Sequence, residues 1–236
     1  MNVTLIAALG WMSIGPALAQ QCVPEPLELM GWWPGDGNAN DIVGGNGGTI
    51  QGAVTFDKGE VGEAFSFAGD GQVSILLPTF ETNNSGFTIE AWINPRTLDK
   101  ATIVSRETNK SSRTWWLGID GGSIQWILYT DQDGHSVTIS SPAVVKTGSF
   151  QHIAAVFDGR NATLYYNGKA VVTKSVGLTS FNVGDPITIG REDLAAGGQL
   201  APFRGLIDEL AIYDRSLTAK EVEGIFNAGG AGKCML

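Results

Sequence analysis

The sequence predicts an all-β protein, a sandwich or barrel of short antiparallel strands closed by one short helix near the C-terminus. Three observations carry that prediction. The 236 residues include 32 Gly and 9 Pro, and short β-branched and aromatic runs recur between turn residues, the pattern of stacked or closed antiparallel sheets. Asn167-Gly168 stands between two such runs and is a two-residue hairpin signal, because both positions tolerate positive φ. Cys22 and Cys234 are the only cysteines and lie near the two ends of the chain, so a fold whose first and last strands lie side by side would let them pair. A bridge over so long a loop would be worth about 5 kcal/mol in the chain-entropy model.

The elements follow in order. Met1 to Ala19 reads as a signal peptide: an apolar stretch from Val3 to Leu18, then Ala17-Leu18-Ala19 as a small-x-small cleavage site, although no Lys or Arg precedes it. The stretch is short for a membrane span and is broken by Gly10, Gly15 and Pro16. A single domain would then run from Gln20 to Leu236. Ala19-Gln20-Gln21 before Cys22 is not a lipid-attachment pattern, so Cys22 is read as a disulfide partner. Phe87 to Ile93 alternates in polarity and Asn94-Pro95 stops it. Short strands follow at Thr102–Ser105, Trp115–Ile119, Ser123–Tyr129 and Ser136–Ser140, with Asp120-Gly121-Gly122 and Asp131-Gln132-Asp133-Gly134 as turns. Ile153–Phe157, Ala162–Tyr166 and Lys169–Thr173 form consecutive hairpins, and Pro186–Gly190 and Leu206–Tyr213 are late strands. Thr218 with Glu221 makes a capping box, Leu217 and Val222 are placed as a hydrophobic staple, and Val222, Ile225 and Phe226 form the apolar stripe of a helix ending at Gly229.

Composition narrows the function classes. The formal net charge of −9 argues against nucleic acid and anionic membrane surfaces, both of which demand a basic footprint. After removal of the leader no apolar run is long enough to span a bilayer. Two His and two Cys argue against zinc, whereas an acidic chain accommodates Ca²⁺.

Four stretches carry a family resemblance. They are Trp33 to Asp41 with the following Gly44 to Gly48, Gly59 to Phe67 with Phe87 to Trp92, His152 to Gly159 through Tyr166-Asn167-Gly168, and Gly205 to Leu217. On these the chain resembles the laminin G-like jelly-roll family, within the concanavalin A-like lectin/glucanase fold, from about Glu28 to Gly232. The resemblance implies an all-β, two-sheet antiparallel jelly-roll sandwich with one short C-terminal helix. It also implies that the opening strand pairs with the terminal one, and that ligands sit on a concave face or at the loop rim.

Several residues are candidates for chemistry. Asp36, Asn38, Asn40 and Asp41 place hard oxygen ligands at close spacing, which suits Ca²⁺, and the resemblance adds Asp208 as a neighbour; the alternative is a cluster of Asx turns. The resemblance extends in part to pentraxins, where the loop matching Glu192 and Asp193 carries calcium and the loop matching Asn109 supplies partner residues; the favoured alternative is a solvated loop, since Leu194 to Leu200 is uncharged. Trp32-Trp33 and Trp115-Trp116 are adjacent pairs, and strand neighbours point to opposite faces, so one indole of each pair is free to face away from the core. Trp115, Trp126 and Tyr129, with Gln125, are the candidates for stacking on a sugar ring; ordinary burial is the alternative. The fold also hosts glycosidases and lyases, but the Glu-x-Asp-x-x-Glu run of sandwich glucanases is absent. Asp208 and Glu209 are adjacent and expected to face opposite ways, Glu90 has no acidic partner on its strand, and His152 reads as a packed structural histidine.

The expectation is a secreted, non-catalytic binding module, extracellular or at the cell surface. It recognises carbohydrate or a surface glycan, with one structural Ca²⁺. The alternative is a structural or protein-interaction module with an extracellular protein partner, and a cryptic polysaccharide hydrolase or lyase is a third and smaller prospect.

Overall fold

The computed structural model describes residues 21–76, 86–109, 112–129, 135–177, 186–191 and 201–234; the leader predicted for residues 1–19 lies outside them. The described strands are β1 (Leu29–Trp33), β2 (Gly48–Gln51), β3 (Val54–Lys58), β4 (Glu63–Phe67), β5 (Gln72–Ile75), β6 (Phe87–Pro95), β7 (Ala101–Asn109) and β8 (Ser112–Asp120). They continue with β9 (Ser123–Tyr129), β10 (Ser136–Ala143), β11 (Gln151–Phe157), β12 (Asn161–Tyr166), β13 (Lys169–Ser175), β14 (Ile187–Ile189) and β15 (Gly205–Tyr213), followed by helix α1 (Ala219–Ala228).

Two antiparallel sheets form. Sheet I has the order β13-β12-β11-β6-β15-β4-β3, with β1 pairing β15 off that path; sheet II has the order β10-β9-β8-β7-β14-β5-β2. The predicted two-sheet sandwich is therefore present, and β1 does pair with the terminal strand, Trp32 opposite Ala211 and Trp33 opposite Leu210. The sheets share one interior in which Phe65, Phe67, Phe87, Ile89 and Ile93 of sheet I meet Trp115, Leu117, Trp126, Leu128 and Ile187 of sheet II. Alternation along each strand sets these residues inward.

The two sheets differ in what covers their outer faces. Strand β9 shows strict alternation: Ile124, Trp126 and Leu128 are buried and Ser123, Gln125, Ile127 and Tyr129 are half-buried. Strands β6 and β11 are buried at nearly every position, the pattern of strands covered on both faces. The second cover on sheet I is a smaller core of Trp32, Ala154, Val156, Tyr165, Ala211 and Tyr213 packed against Leu217, Val222 and Ile225. The last two belong to α1, which lies on that face for the reason its sequence suggests. Thr218 and Glu221 make the reciprocal capping box, and Leu217 and Val222 are both buried.

The chain ends join on the same face. Cys22 and Cys234 are disulfide-bonded across a separation of 212 residues, as the two-cysteine frame predicts. Val23 pairs with Lys233 in a parallel bridge, and the Cys234 N–H donates to the Val23 carbonyl at 2.8 Å. The Asn167-Gly168 turn has φ of 48° and 75°, as its hairpin requires. Strands β2, β3 and β5 go beyond the predicted runs. They are four or five residues long, and β2 and β3 are mostly exposed, so the alternation of Val54-Thr55-Phe56-Asp57 and Gln72-Val73-Ser74-Ile75 is too short to stand out.

Candidate functional site

The acidic loop after β1 is built around Asp41. Its Oδ1 accepts from the Trp32 and Val43 N–H groups at 2.9 and 3.0 Å, and its Oδ2 accepts from the Asn46 N–H and Asn46 Nδ2 at 3.0 and 3.2 Å. With the Ile42 N–H donating to the Trp32 carbonyl, the loop closes the outer edge of β1, which would otherwise be open for pairing. Burial opposes ionisation of Asp41, but the backbone N–H donors outweigh it and hold the carboxyl below its usual range. Asn38 Oδ1 accepts from the Asn40 N–H and Asp36 Oδ1 from the Glu63 N–H. Asp208 Oδ2 accepts from Val61 N–H. Each of these oxygens already serves an N–H donor; the Asn38–Asn40 and Asp41–Val43 bonds are Asx turns, and the Asp36 and Asp208 bonds tie the loop and β15 to the β3–β4 turn. Among the described residues no group of three or more His, Cys, Asp or Glu is gathered as a metal shell.

A second constellation lies on the outer face of sheet I. Glu90 of β6 is fully buried, yet carries three cationic or polar partners: Lys233 Nζ at 2.8 Å and Tyr213 Oη at 3.3 Å on Oε1, and His152 Nε2 at 3.0 Å on Oε2. Lys233 Nζ also lies 3.1 Å from Glu209 Oε2 and 4.6 Å from the centre of the Trp32 ring. Burial pushes the Glu90 carboxyl up, but Lys233 and His152 outweigh it and the net direction is down. Burial pushes Glu209 up, and pushes Asp208 to about 8, so Asp208 is protonated at neutral pH.

Here the structure corrects one expectation. Asp208 and Glu209 do not face opposite ways, because the β15–β6 register shifts between Asp208 and Ala211 and Glu209 has φ of 57°. This bulge places both residues on the outer face of sheet I, Glu209 against Lys233 and Asp208 against the Val61 N–H. His152 is packed as predicted, with Trp92 edge-on at 5.3 Å. Lys233 was not foreseen; its only signal is a lone charge beside Cys234 in a glycine-rich tail.

The indoles proposed for stacking are also corrected. Trp115 and Trp126 are 0 % exposed and pack around Phe87 between the sheets, so neither offers a ring face to a ligand. Their strand neighbours take the outer face of sheet II. Trp116 pairs with Ser105 and Ile127, lies over Gly118, where a Cβ would meet its ring at 2.4 Å, and donates from Nε1 to Thr102 Oγ1. Lys100 Nζ sits 5.4 Å from its ring centre. Beside it, the pairs Ser140–Gln125, Thr138–Ile127 and Ser136–Tyr129 form a ladder. Its β10 side is exposed and its β9 side half-buried. Tyr129 is thus on the outer face, with Gln125 and Ile127 rather than with Trp126. Asn109 ends β7, opposite Ser112; Glu192 and Asp193 lie outside the described residues.

Comparisons with known proteins agree with this architecture. A laminin G family model of the concanavalin A-like lectin/glucanases superfamily matches residues 67–223. Pappalysin-1 of Mus musculus is 27% identical over 67% of this chain and 11% of its own length. Paraclostridial mosquitocidal protein 1 of Paraclostridium bifermentans is 26% identical over 66% and 14%. The chain therefore spans about a tenth of the length of these curated relatives. Among solved structures, the binding domain of that mosquitocidal protein superposes with a TM-score of 0.71 at 19% identity, covering 85% of this chain and 52% of that one. Domain 4 of an extracellular arabinanase of Geobacillus stearothermophilus, in complex with arabinotriose, superposes with a TM-score of 0.66 at 22% identity, covering 83% and 97%.

Proposed function

Because the chain belongs to the concanavalin A-like lectin/glucanases superfamily, we propose that it is an extracellular, non-catalytic binding module that recognises glycan through the outer face of sheet II. One observation carries the reading: the two outer faces are treated differently. That of sheet I is closed by α1 and the terminal clasp, whereas the ladder of Gln125, Ile127 and Tyr129 against Ser136, Thr138 and Ser140 is left accessible. Hydroxyls and an amide beside an aliphatic surface and a tyrosine provide both the hydrogen bonds and the apolar contact that a sugar takes. The solved relatives include a domain in complex with arabinotriose and a neurotoxin binding domain in complex with a sialylated ligand, which supports a sugar as the first ligand to try. The carboxylates of sheet I's outer face, Glu90, Glu209 and Asp208, are buried, which argues against their flanking a scissile glycosidic bond.

A glycan array probed with the wild-type chain and with Gln125→Ala and Thr138→Ala tests this. Binding that both variants weaken supports it; no glycan bound, with an extracellular protein retained instead, favours the interaction-module reading. Calcium at Asp36 to Asp41 is a separate proposal. A fall in melting temperature with EDTA supports it; an unchanged melt leaves the loop as the edge cap that Asp41's hydrogen bonds describe.

A further inference from the structure

We propose that the outer face of sheet I carries a binding pocket for a small primary alkylammonium, filled in this structure by the chain's own Lys233 and latched by the Cys22–Cys234 disulfide. The pocket supplies each kind of contact that an ammonium takes. Glu90 Oε1 lies at 2.8 Å, Glu209 Oε2 at 3.1 Å, the Glu209 carbonyl at 3.4 Å and the Trp32 ring centre at 4.6 Å. Three separate strands hold these groups in register: Trp32 of β1, Glu209 of β15 and Glu90 of β6.

The cage is built without the lysine. Glu90 is fixed by His152 on Oε2, the oxygen Lys233 does not use, and by Tyr213 on Oε1, and the Trp32 backbone N–H is held by the Asp41 carboxylate. Glu90 is flanked in its cross-strand row by Ala211 and Ala154, which leave room above its carboxylate. Lys233 arrives instead on the tail after α1. That tail is held by the Val23 pairing and the disulfide, and Cys22 is exposed, so a reductant reaches the latch.

The pocket also exceeds what Lys233 uses. A cavity of about 100 Å³ adjoins it, lined by Trp32, Asp36, Val61, Glu209, Ala231 and Lys233. Among the described residues Trp32 Nε1 and Glu209 Oε2 make no hydrogen bond of full geometry; the carboxylate meets Lys233 as an ion pair at 3.1 Å and lies beside the Trp32 indole. Two carboxylates thus face one ammonium. The cavity volume limits the ligand to a short stem, on the order of three waters' worth of space.

Rescue of the full chain tests the proposal. Lys233→Ala is melted with and without n-butylammonium chloride, against n-butanol and sodium chloride at matched concentration. The expected result is a saturable rise in melting temperature, about 3–5 °C at tenfold excess over Kd, with butylammonium alone. Adding Glu209→Gln to that variant abolishes the rise. Should Lys233→Ala not fold unaided, its refolding yield with and without butylammonium is the readout. Lys233→Met, which keeps the stem, is tested in parallel with ammonium chloride. No rise above the sodium chloride control in either variant would mark Lys233 as an internal ion pair only and overturn the pocket. In the wild type, butylammonium should shift the melt only after the disulfide is reduced; an equal shift in the oxidised protein, or none in the reduced one, overturns the latch.

Discussion

The outer faces of the two sheets are built from the same kind of strand and come to opposite uses. On sheet I the row Trp32, Ala211, Glu90, Ala154 and Tyr165 is sealed beneath α1 and the joined chain ends, and its charges satisfy one another. On sheet II the corresponding row, Ser105, Trp116, Ile127 and Thr138, grades from buried to exposed and ends in hydroxyls that face water. A buried charge must be paired and hydrogen-bonded, so side chains on the first face are held in place and changes there are costly. Side chains on the second face can exchange water for a ligand at little cost to folding.

The contrast predicts a descending series of effects. Cys22→Ser removes the clasp from sheet I and should destabilise the protein by about 5 kcal/mol in the chain-entropy model, read by urea unfolding; a loss below 1 kcal/mol would mean that the ends stay docked without the bond. Glu90→Gln takes one carboxylate from the Lys233 cage and should cost about 3–5 kcal/mol. A near-neutral result would show that Glu209 alone satisfies the ammonium. Asp208→Asn acts through pH. With its carboxyl raised to about 8 in the folded state from about 3.9 in the unfolded chain, the native state holds its proton more tightly. Asp208 therefore makes stability fall as pH rises from about 4 to about 8, and is neutral to stability below that window. Melting temperatures across this range should decline less steeply in Asp208→Asn than in the wild type, and parallel profiles would remove Asp208 from the account. Gln125→Ala on sheet II should change stability by no more than about 0.5 kcal/mol while weakening glycan binding.

Much of this contrast was legible before the structure. The helix cap at Thr218 and the hairpin at Asn167-Gly168 rest on local chemistry that the sequence states directly, and the pairing of Cys22 with Cys234 on their being the only two cysteines. The choice between indoles was legible too, although the predicted stacking residues missed it. Ile124, Trp126 and Leu128 share one parity and Gln125, Ile127 and Tyr129 the other, so Trp126 could not lie beside Tyr129 on one face. The Lys233 cage was not legible. It assembles residues 90, 152, 209, 213 and 233 across a register that only the paired sheet defines. It also depends on a bulge at Glu209, which reverses the alternation that would have separated Asp208 from Glu209. The Asp41 loop sits between these cases: Asx turns and calcium ligands draw on the same residues, and the distinction lies in N–H donors contributed by β1 and by Asn46.

The most direct test of the account is a chemical-shift titration of the labelled protein with the glycan that binds most tightly on an array. Shifts concentrated at Gln125, Ile127, Tyr129 and Thr138, with the Glu90 and Lys233 signals unmoved, are the predicted result. Shifts centred on the Asp36 to Asp41 loop or the terminal clasp, with the outer face of sheet II silent, would contradict it.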